Sequence, residues 1–539
     1  MGTMLALLCL LGAGSEAAWA TDQTLATIPM RDGASLAADV YLPEDPGRYS
    51  TVLIQTPYNR TLVRSWFRPV GGHGIVDRER YAYVILDWRG FWGSKAAGQG
   101  MLAPDYGKDG HDAVEWIAQQ DWSNGKVGTW GPSALGKVQY MTAKEQPPHL
   151  TCCVPVVAAE GNAYEDFYEN GVYRAAHMGS LIRLGYSGFG LLDRFQDSTQ
   201  VLRLFGGRSD QVERVNVPVF AITGWYDHST ERHLGTFRAL VERAGPVTRQ
   251  HINLLIGPWE HVGVGKTEQG ALRYTEAVDE SERQALQFFD YWLRDEKGNG
   301  WAQAPMYQWW QMNERGWNVA EVASGPQTAE QTLYLHADGL IDRQAPAAGD
   351  PPRTYLADPQ APVPTIGGAN LGWLAGEGVS TGPQDQRPLE SRDDVLVYTS
   401  EAFAEPLRIF GSVKLTFSFS LDRPDASFAV RLCDVWPDGR SMLICDGITR
   451  AKYRNGPAQA APVEAGKVCS ATVALPPTAL TVAGEHRLRL SIAGSNYPRF
   501  ELNAHTGADR YKAEDAVPAE CTVYHDAGRP ATLMAPALK

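Results

Sequence analysis

The chain has 539 residues, which is too long for one hydrophobic core and predicts two or three domains. Hydrophobic residues make up 44% and charged residues 21%, a balance typical of a globular protein rather than a disordered one. The net charge of −13 argues against nucleic acid as a partner, because Lys and Arg drive phosphate binding. The net charge does not exclude small-molecule substrates.

Residues 1–20 predict a signal peptide. The apolar run from Met4 to Gly14 is too short to span a bilayer, and Ala18-Trp19-Ala20 supplies a small-x-small cleavage site. No Lys or Arg precedes the run, which departs from the usual basic start of such a segment. We expect a periplasmic or secreted protein without a membrane span.

Residues 21–325 predict an α/β domain. Residues 27–42 alternate around Asp32-Gly33 as a hairpin does. Short apolar strands then alternate with helices, which indicates a parallel sheet covered on both faces. The predicted strands are 51–56, 81–86, 152–159, 217–222 and 252–256, and a strong helix is predicted at 279–295.

Two further segments differ from this pattern. Residues 160–214 predict an inserted cap, either a lid over the active edge of the sheet or a surface decoration. Residues 326–539 predict an antiparallel β-sandwich, because apolar residues alternate there, as at Leu415, Phe417 and Phe419.

Six cysteines follow the signal peptide, and none has the spacing of a zinc site. Cys433 and Cys445 flank a Pro437-Asp438-Gly439 turn. They are either a disulfide across a hairpin or buried free thiols, and both alternatives stay open.

The run KVGTWGPSALG at residues 126–136 predicts a strand, a sharp turn and a helix with Ser133 at the apex. Such a turn exposes a hydroxyl at the end of a strand and points the helix N-terminus at it. Glycine is required beside the turn because a side chain would collide with it. The motif alone is weak, so the function depends on its partners.

Five polar residues directly follow predicted strands: Tyr58, Asp87, Ser133, Asp227 and His261. The carboxyl ends of parallel strands meet at one edge of a sheet, where ligands bind. The order serine, acid, histidine is that of the α/β-hydrolase sheet. His261 would take the proton of Ser133, and Asp227 would orient the imidazole.

Other candidates are placed less well. His228 adjoins the proposed acid, His233 falls on a predicted helix, His251 precedes a strand, and Glu260 is too near His261 in sequence to orient its ring. For the oxyanion, the backbone N–H of Ala134 is the first donor that the turn offers. The Tyr58 hydroxyl is the candidate for the second.

These segments resemble the X-Pro dipeptidyl-peptidase and cocaine esterase group of serine hydrolases, also called CocE/NonD hydrolases. The resemblance covers nearly the whole mature chain. It rests on TPY at 56–58, DWRGFWGS at 87–94, GPSALG at 131–136, GWYD at 224–227, GPWEH at 257–261, YLADP at 355–359 and SNYPRF at 495–500.

The resemblance implies an α/β-hydrolase domain with a helical cap and a C-terminal jelly roll. It implies a triad of Ser133, Asp227 and His261, with Tyr58 and Ala134 as the oxyanion hole. It also implies that Asp87 and Arg89 shape a loop beneath the site. The tryptophans of these motifs are candidate substrate contacts: Trp92, Trp225 and Trp259.

Two departures affect the pocket. This chain has Ala134 where the family usually has tyrosine, and the insertion between Ser133 and Asp227 is shorter than usual. The backbone N–H of Ala134 is still available as a donor, but the smaller side chain should change the shape of the pocket.

We therefore expect an exported serine hydrolase that needs no metal or organic cofactor and acts through an acyl-enzyme on Ser133. Esters are favoured, because no assignable acidic cluster would bind a free α-amino group. The alternatives are an X-Pro dipeptidyl-peptidase, an α-amino acid ester hydrolase or a β-lactam acylase. From another class, a non-catalytic protein that binds through the jelly roll stays open. The oligomeric state is not predicted.

Overall fold

The structure is a computed structural model that describes residues 23–64, 77–99, 104–184, 186, 198–205, 211–322, 325–374, 376 and 378–539. The signal peptide predicted for residues 1–20 lies outside these ranges and stays a prediction. In the ranges described, no helix is both long enough and apolar enough to cross a membrane.

The N-terminal part forms a mixed sheet of ten strands and two short hairpins. In chain order the strands are β1 (Gln23–Pro29), β2 (Ser35–Tyr41), β3 (Tyr49–Thr56), β4 (Ala82–Asp87), β5 (Ser123–Pro132), β6 (Leu150–Val156), β7 (Tyr168–Glu169), β8 (Val172–Tyr173), β9 (Val219–Tyr226), β10 (Ile252–Glu260), β11 (Glu268–Gln269), β12 (Leu272–Arg273), β13 (Tyr307–Trp310) and β14 (Trp317–Ala320). The sheet order is β1-β2-β4-β3-β5-β6-β9-β10-β13-β14.

The centre of this sheet is parallel, as predicted. Strands β4, β3, β5, β6, β9, β10 and β13 run in one direction. Strands β1, β2 and β14 join antiparallel at the two edges. The central strands are buried almost throughout, which is why they appear in the sequence as continuous apolar runs.

The α-helices of the described residues lie mainly in the N-terminal part, and the last one lies in the C-terminal part. In chain order they are α1 (Arg60–Val63), α2 (Tyr106–Ala118), α3 (Ala134–Lys144), α4 (Ala175–Arg183), α5 (Ser198–Phe205), α6 (Thr230–Arg243), α7 (Pro246–Gln250), α8 (Glu280–Leu293) and α9 (Arg387–Glu390). Helix α8 packs closely on β5 because Gly128 has no side chain. A Cβ there would lie 3.0 Å from atoms of Leu293 and Phe289.

Two strands extend beyond their predicted ends. The sequence predicts ends at Ile222 and Ile256, but β9 continues to Tyr226 and β10 continues to Glu260. Glycine is needed inside β9 because a Cβ on Gly224 would lie 2.0 Å from the Trp259 carbonyl oxygen. The glycines thus permit close contact between neighbouring strands and do not end them.

The C-terminal part is a separate β-rich sheet system, which confirms the predicted β domain. Its strands are β15 (Thr328–Leu335), β16 (Leu340–Asp342), β17 (Arg353–Ala357), β18 (Val395–Ser400), β19 (Leu407–Gly411), β20 (Lys414–Leu421), β21 (Ser427–Val435), β22 (Ser441–Arg450), β23 (Cys469–Ala474), β24 (Thr478–Val482), β25 (Arg487–Ala493), β26 (Ala519–Tyr524) and β27 (Ala531–Leu538). Apart from β16 with β18, the named strands of this part pair antiparallel. The jelly-roll topology and the domain bounds stay predictions.

The cysteines at the Pro437 turn are buried free thiols, which is one of the two alternatives left open. A bulge in the β21–β22 ladder places Cys445 opposite Leu432 and Cys433 opposite Leu443. The two thiols therefore do not form a directly opposed pair.

An aromatic junction joins the two parts. The Phe410 ring of β19 lies 5.9 Å from the ring of Trp225, 6.2 Å from that of Tyr307 and 5.2 Å from that of Trp309. The backbone continues the contact, since the N–H of Met312 donates to the Ala479 carbonyl at 2.9 Å. Residues of both parts belong to one hydrophobic core.

We expect Phe410→Ala to destabilise the protein by about 3–5 kcal/mol, because removing a buried ring leaves a cavity among packed aromatic side chains. The measurement is the shift in the midpoint of denaturant unfolding. Val319→Ala is the matched control, since Val319 is 56% exposed and its loss should change the midpoint little. Equal midpoints for the two variants would contradict the role of the junction.

Candidate active site

Ser133 occupies a strained turn between β5 and α3. Its φ is 58° and its ψ is −121°, which a residue with a side chain rarely adopts. Its N–H donates to the Val156 carbonyl at 2.9 Å. Gly136 leaves room for the turn, since a Cβ there would lie 2.5 Å from the Cβ of Ala158. The turn has the strand-to-helix geometry of a nucleophile elbow.

Asp227 and His261 directly follow the neighbouring strands β9 and β10, and they are hydrogen-bonded. The His261 Nδ1–H donates to Asp227 Oδ2 at 2.5 Å, and the Asp227 side chain is fully buried. The other oxygen, Oδ1, accepts from the Ser229 N–H at 2.6 Å. This arrangement fixes the imidazole tautomer and leaves Nε2 to accept a proton.

The electrostatics of the pair favour an ionised acid. Burial by itself would raise the pKa of Asp227. The charge and hydrogen bond of His261 outweigh burial and hold that pKa below its ordinary value. Asp227 is thus an anion at neutral pH and can stabilise an imidazolium on His261.

Tyr58 lies two residues after β3, on the same edge of the sheet as Ser133. Its hydroxyl is within hydrogen-bonding reach of the Ser133 side chain and of the Ala134 backbone N–H. Burial raises the pKa of Tyr58, so the group stays a protonated donor at neutral pH. The hydroxyl and the amide therefore lie next to one another at the Ser133 turn.

The other candidates from the sequence have different partners. Glu260 turns towards the C-terminal part, where the Thr381 hydroxyl donates to its carboxylate. The His233 Nδ1 lies 2.5 Å from the Thr223 hydroxyl inside the fold, and burial lowers the pKa of His233 to about 4. His251 precedes β10 at the end of that strand remote from His261.

His228 has a role that the sequence did not indicate. Its ring stacks on that of His261, with centroids 4.4 Å apart and planes inclined by 18°. Burial and the charge of His261 hold the pKa of His228 well below its ordinary value, so His228 stays neutral. A neutral flat ring restricts the orientation of His261.

Asp227, His228 and His261 offer possible metal-ligand atoms within 4.8 Å of one another. The His261 Nδ1 is already bonded to Asp227. The near-parallel stacking of the two imidazoles keeps the lone pairs in separate planes, so they do not converge on one ion.

Asp87 and Arg89 take part in separate ion pairs in and around the loop after β4. Asp87 accepts from Arg60 Nη1 at 2.7 Å. Arg89 pairs with Asp109 and Asp32, at 2.5 and 2.8 Å. Both side chains stabilise the loop that follows β4.

The three tryptophans do not share one role. Trp92 is 49% exposed, and its Nε1–H donates to the Pro57 carbonyl at 2.8 Å next to Tyr58. Trp225 and Trp259 are 3% and 0% exposed and belong to the hydrophobic core. Their prediction as substrate contacts is wrong, because both side chains are buried: Trp225 packs against Phe410 and Trp259 packs against Trp317.

The insertion between β6 and β9 adds residues that the sequence did not single out. The Arg174 Nη2 donates to the His228 carbonyl at 3.1 Å, and the His177 ring lies 4.6 Å from that of His228. The Tyr186 ring lies 6.2 Å from that of Tyr58. The described part of the insertion thus contacts residues next to the candidate site, and its function as a lid stays a prediction. Only its position between Ser133 and Asp227 indicated this role.

The fold and the site define a serine hydrolase of the α/β-hydrolase class, and the comparisons agree. Residues 32–205 match the family model described as X-Pro dipeptidyl-peptidase (S15 family). Residues 299–534 match the model described as X-Pro dipeptidyl-peptidase C-terminal non-catalytic domain. These matches, each to a part of the chain, support the X-Pro dipeptidyl-peptidase and cocaine esterase (CocE/NonD) family.

A cocaine esterase from Rhodococcus sp. (strain MB1 Bresler) is 28% identical over 95% of this chain and 98% of its own. In fold, the chain is similar to an aminopeptidase from a marine sediment Thaumarchaeota archaeon (TM-score 0.80, 23% identity, 96% and 97% of the two chains). It is also similar to an α-amino acid ester hydrolase (TM-score 0.79, 22% identity, 96% of each chain). The chain is an enzyme, so the binding-protein alternative is set aside.

We expect Ser133→Gly to raise the free energy of unfolding by about 1 kcal/mol relative to Ser133→Ala. Glycine relieves the strain of a positive φ, whereas alanine keeps it. The two variants lack the same hydroxyl, so the difference in their unfolding midpoints isolates the backbone. A glycine variant less stable than the alanine variant would show that the turn is unstrained.

Proposed function

We propose that the protein hydrolyses a carboxylic ester through an acyl-enzyme on Ser133, with His261 as general base and then general acid and Asp227 orienting it. The observation that carries this proposal is the 2.5 Å hydrogen bond between Asp227 and His261 at the edge of the sheet where Ser133 directly follows β5. The strained φ of 58° at Ser133 supports it, because such turns hold nucleophiles out from the sheet.

In the first half of the reaction, His261 Nε2 takes the proton of the Ser133 hydroxyl as its oxygen attacks the substrate carbonyl. A covalent bond forms to Ser133 and the carbonyl oxygen becomes an oxyanion. The imidazolium next to buried Asp227 then gives its proton to the leaving group. In the second half, water repeats these steps and releases the acid.

We propose that the oxyanion accepts hydrogen bonds from the Tyr58 hydroxyl and the Ala134 N–H. In the structure the Ala134 N–H lies within hydrogen-bonding reach of the Tyr58 oxygen at the Ser133 turn, so the two groups are neighbours before substrate binds. The helix α3 starts at Ala134, and its N-terminal partial charge favours the same anion.

An ester is the substrate class we favour. The similarity to the Rhodococcus cocaine esterase covers nearly the whole chain. Among the described residues, the Asp227 carboxylate is buried and already bonded to His261, and the groups that lie beside that pair are the neutral His177 and His228 and the cation Arg174. These groups do not attract a free α-amino group, which the dipeptidyl-peptidase and α-amino acid ester alternatives require.

We expect a fluorophosphonate probe to label the protein, with the label lost in Ser133→Ala and kept in Ser470→Ala, an exposed serine of β23. Asp227→Asn should slow labelling by about 10³–10⁴, because the amide does not hold the required tautomer. Glu260→Gln is its matched control and should slow labelling less than tenfold. Folded wild-type protein that stays unlabelled would refute the nucleophile.

We expect Tyr58→Phe to lower the acylation rate by about 10²–10³, since one of the two oxyanion donors is removed while the ring is kept. Pre-steady-state release of p-nitrophenol measures this rate. Tyr334→Phe in β15 controls for loss of a distant hydroxyl. An unchanged rate in Tyr58→Phe would assign the second donor elsewhere.

A substrate panel separates the alternatives. We expect p-nitrophenyl esters to be cleaved with a kcat/KM at least 10²-fold above that for aminoacyl and prolyl p-nitroanilides, because no described group beside His261 binds an ammonium. Faster cleavage of the anilides would favour the peptidase alternative. It would leave the roles of Ser133 and His261 intact.

A further inference from the structure

The hydroxyl of Tyr58 has a second tyrosine as its neighbour. Tyr186 of the insertion packs edge-on against Tyr58, with ring centroids 6.2 Å apart and planes inclined by 78°. The two hydroxyls lie within hydrogen-bonding reach of one another. Because Tyr58 is a proposed donor to the oxyanion, a group that contacts its hydroxyl acts on that donor.

Packing and backbone hydrogen bonds hold Tyr186 in this position. Its ring lies 5.9 Å from that of Phe91, in the loop after β4. Its N–H donates to the Leu181 carbonyl at 3.1 Å, in the last turn of α4. The start of α4 is held by the C-terminal part, since the Ala176 N–H donates to the Arg499 carbonyl at 3.3 Å. The ring is thus presented to the site by the end of an anchored helix.

The two hydroxyls are not equivalent, and Tyr186 is the donor of the pair. Burial raises the pKa of both, so each keeps its proton at neutral pH. Their contact in turn lowers the pKa of Tyr58 and raises that of Tyr186. A hydrogen bond lowers the pKa of the group that accepts it, because it stabilises the ionised form of that group. The Tyr58 oxygen is therefore the acceptor, and its single proton is left for another partner.

The proposed reaction changes the other partners of the Tyr58 oxygen. In the resting structure the Ser133 side chain and the Ala134 N–H are also within its reach. During acylation the Ser133 oxygen bonds to the substrate carbon, and the Ala134 N–H turns to the oxyanion. Neither step involves Tyr186, which stays as a donor to the Tyr58 oxygen. Its hydrogen bond also makes Tyr58 a stronger donor, since hydrogen bonds in a chain polarise one another.

We propose that Tyr186 is a positioning residue for the oxyanion hole: it donates to the Tyr58 oxygen and thereby directs the Tyr58 proton to the oxyanion. The proposal rests on the proposed function, because Tyr186 acts through Tyr58 on the reaction at Ser133. It also assigns the insertion a part in the chemical step, since Tyr186 lies in the chain between β6 and β9.

Tyr186→Phe removes the hydroxyl and keeps the ring that packs on Tyr58. Pre-steady-state release of p-nitrophenol from p-nitrophenyl butyrate measures the acylation rate at saturating ester. We expect this rate to fall about fivefold to twentyfold, because one hydrogen bond of ordinary strength is lost. The ester concentration for half-saturation should change less than twofold, since the bond acts on the oxyanion and not on the bound ester.

Tyr168→Phe is the matched control. It removes a hydroxyl from the same insertion, but the Tyr168 ring packs in a separate cluster with Phe167 and Met178. We expect it to change the acylation rate less than twofold. An unchanged rate in Tyr186→Phe, or an equal fall in Tyr168→Phe, overturns the proposal.

A double variant distinguishes positioning from a general structural effect. Since Tyr186 acts through Tyr58, adding Tyr186→Phe to Tyr58→Phe should change the acylation rate less than twofold. A structural disturbance would instead lower the rate by the same factor in the two backgrounds. Full additivity therefore contradicts the positioning role.

An inhibitor pair tests the oxyanion directly. 1,1,1-Trifluorohexan-2-one forms a hemiketal with the Ser133 oxygen, in which the serine proton passes to His261 and the ketone oxygen becomes an oxyanion. Hexan-2-ol does not form this adduct. We expect Tyr186→Phe to raise the inhibition constant of the ketone at least fivefold and that of the alcohol less than twofold. Equal changes for the two compounds would exclude a role at the oxyanion.

The outcomes separate this proposal from the catalytic one. If Tyr58→Phe lowers the acylation rate and Tyr186→Phe does not, the positioning role fails and the hydrolase mechanism stands. If Tyr58→Phe leaves the rate unchanged, the oxyanion assignment fails and the positioning role fails with it. Failure of the proposed function itself is seen elsewhere, as a fluorophosphonate probe that does not label Ser133.

Discussion

The site depends on one hydrogen bond between residues that end neighbouring strands. Asp227 and His261 can meet at 2.5 Å because β9 and β10 lie side by side and end at the same edge. Gly224 allows that approach, since a side chain there would strike the Trp259 carbonyl. The position of Ser133 at the end of β5 then brings a hydroxyl to the same edge. The strand order of the sheet thus brings the proposed nucleophile and the bonded Asp227–His261 pair to one edge.

Much of this arrangement could be predicted from local patterns. Buried parallel strands leave continuous apolar runs, and the runs at 51–56 and 81–86 coincide with β3 and β4 within two residues. A serine between glycines after such a strand indicates a sharp turn, and Ser133 has the positive φ that such a turn needs. The meeting of Asp227 with His261 also followed from position, because both directly follow strands of one parallel sheet.

Features that depend on contacts between distant segments could not be predicted in this way. Trp225 and Trp259 lie in motifs next to the site, yet their side chains pack into the core because the strands run further than the glycines suggested. Likewise, nothing local indicates that Arg174 of the insertion and Arg499 of the C-terminal part line one small cavity. Tertiary packing decides which of two neighbouring residues faces solvent, and a single sequence contains no direct record of it.

The junction between the two parts limits how the enzyme can be divided into separately expressed parts. Phe410 packs against Trp225, which lies two residues before Asp227, the proposed acid of the site. Arg499 and Asn370 of the C-terminal part line the same small cavity as His228. The hydrolase half expressed alone would expose a cluster of indole rings to water and would lack one wall of that cavity. Chimeras between relatives should therefore exchange the C-terminal part together with the aromatic side chains on which it rests.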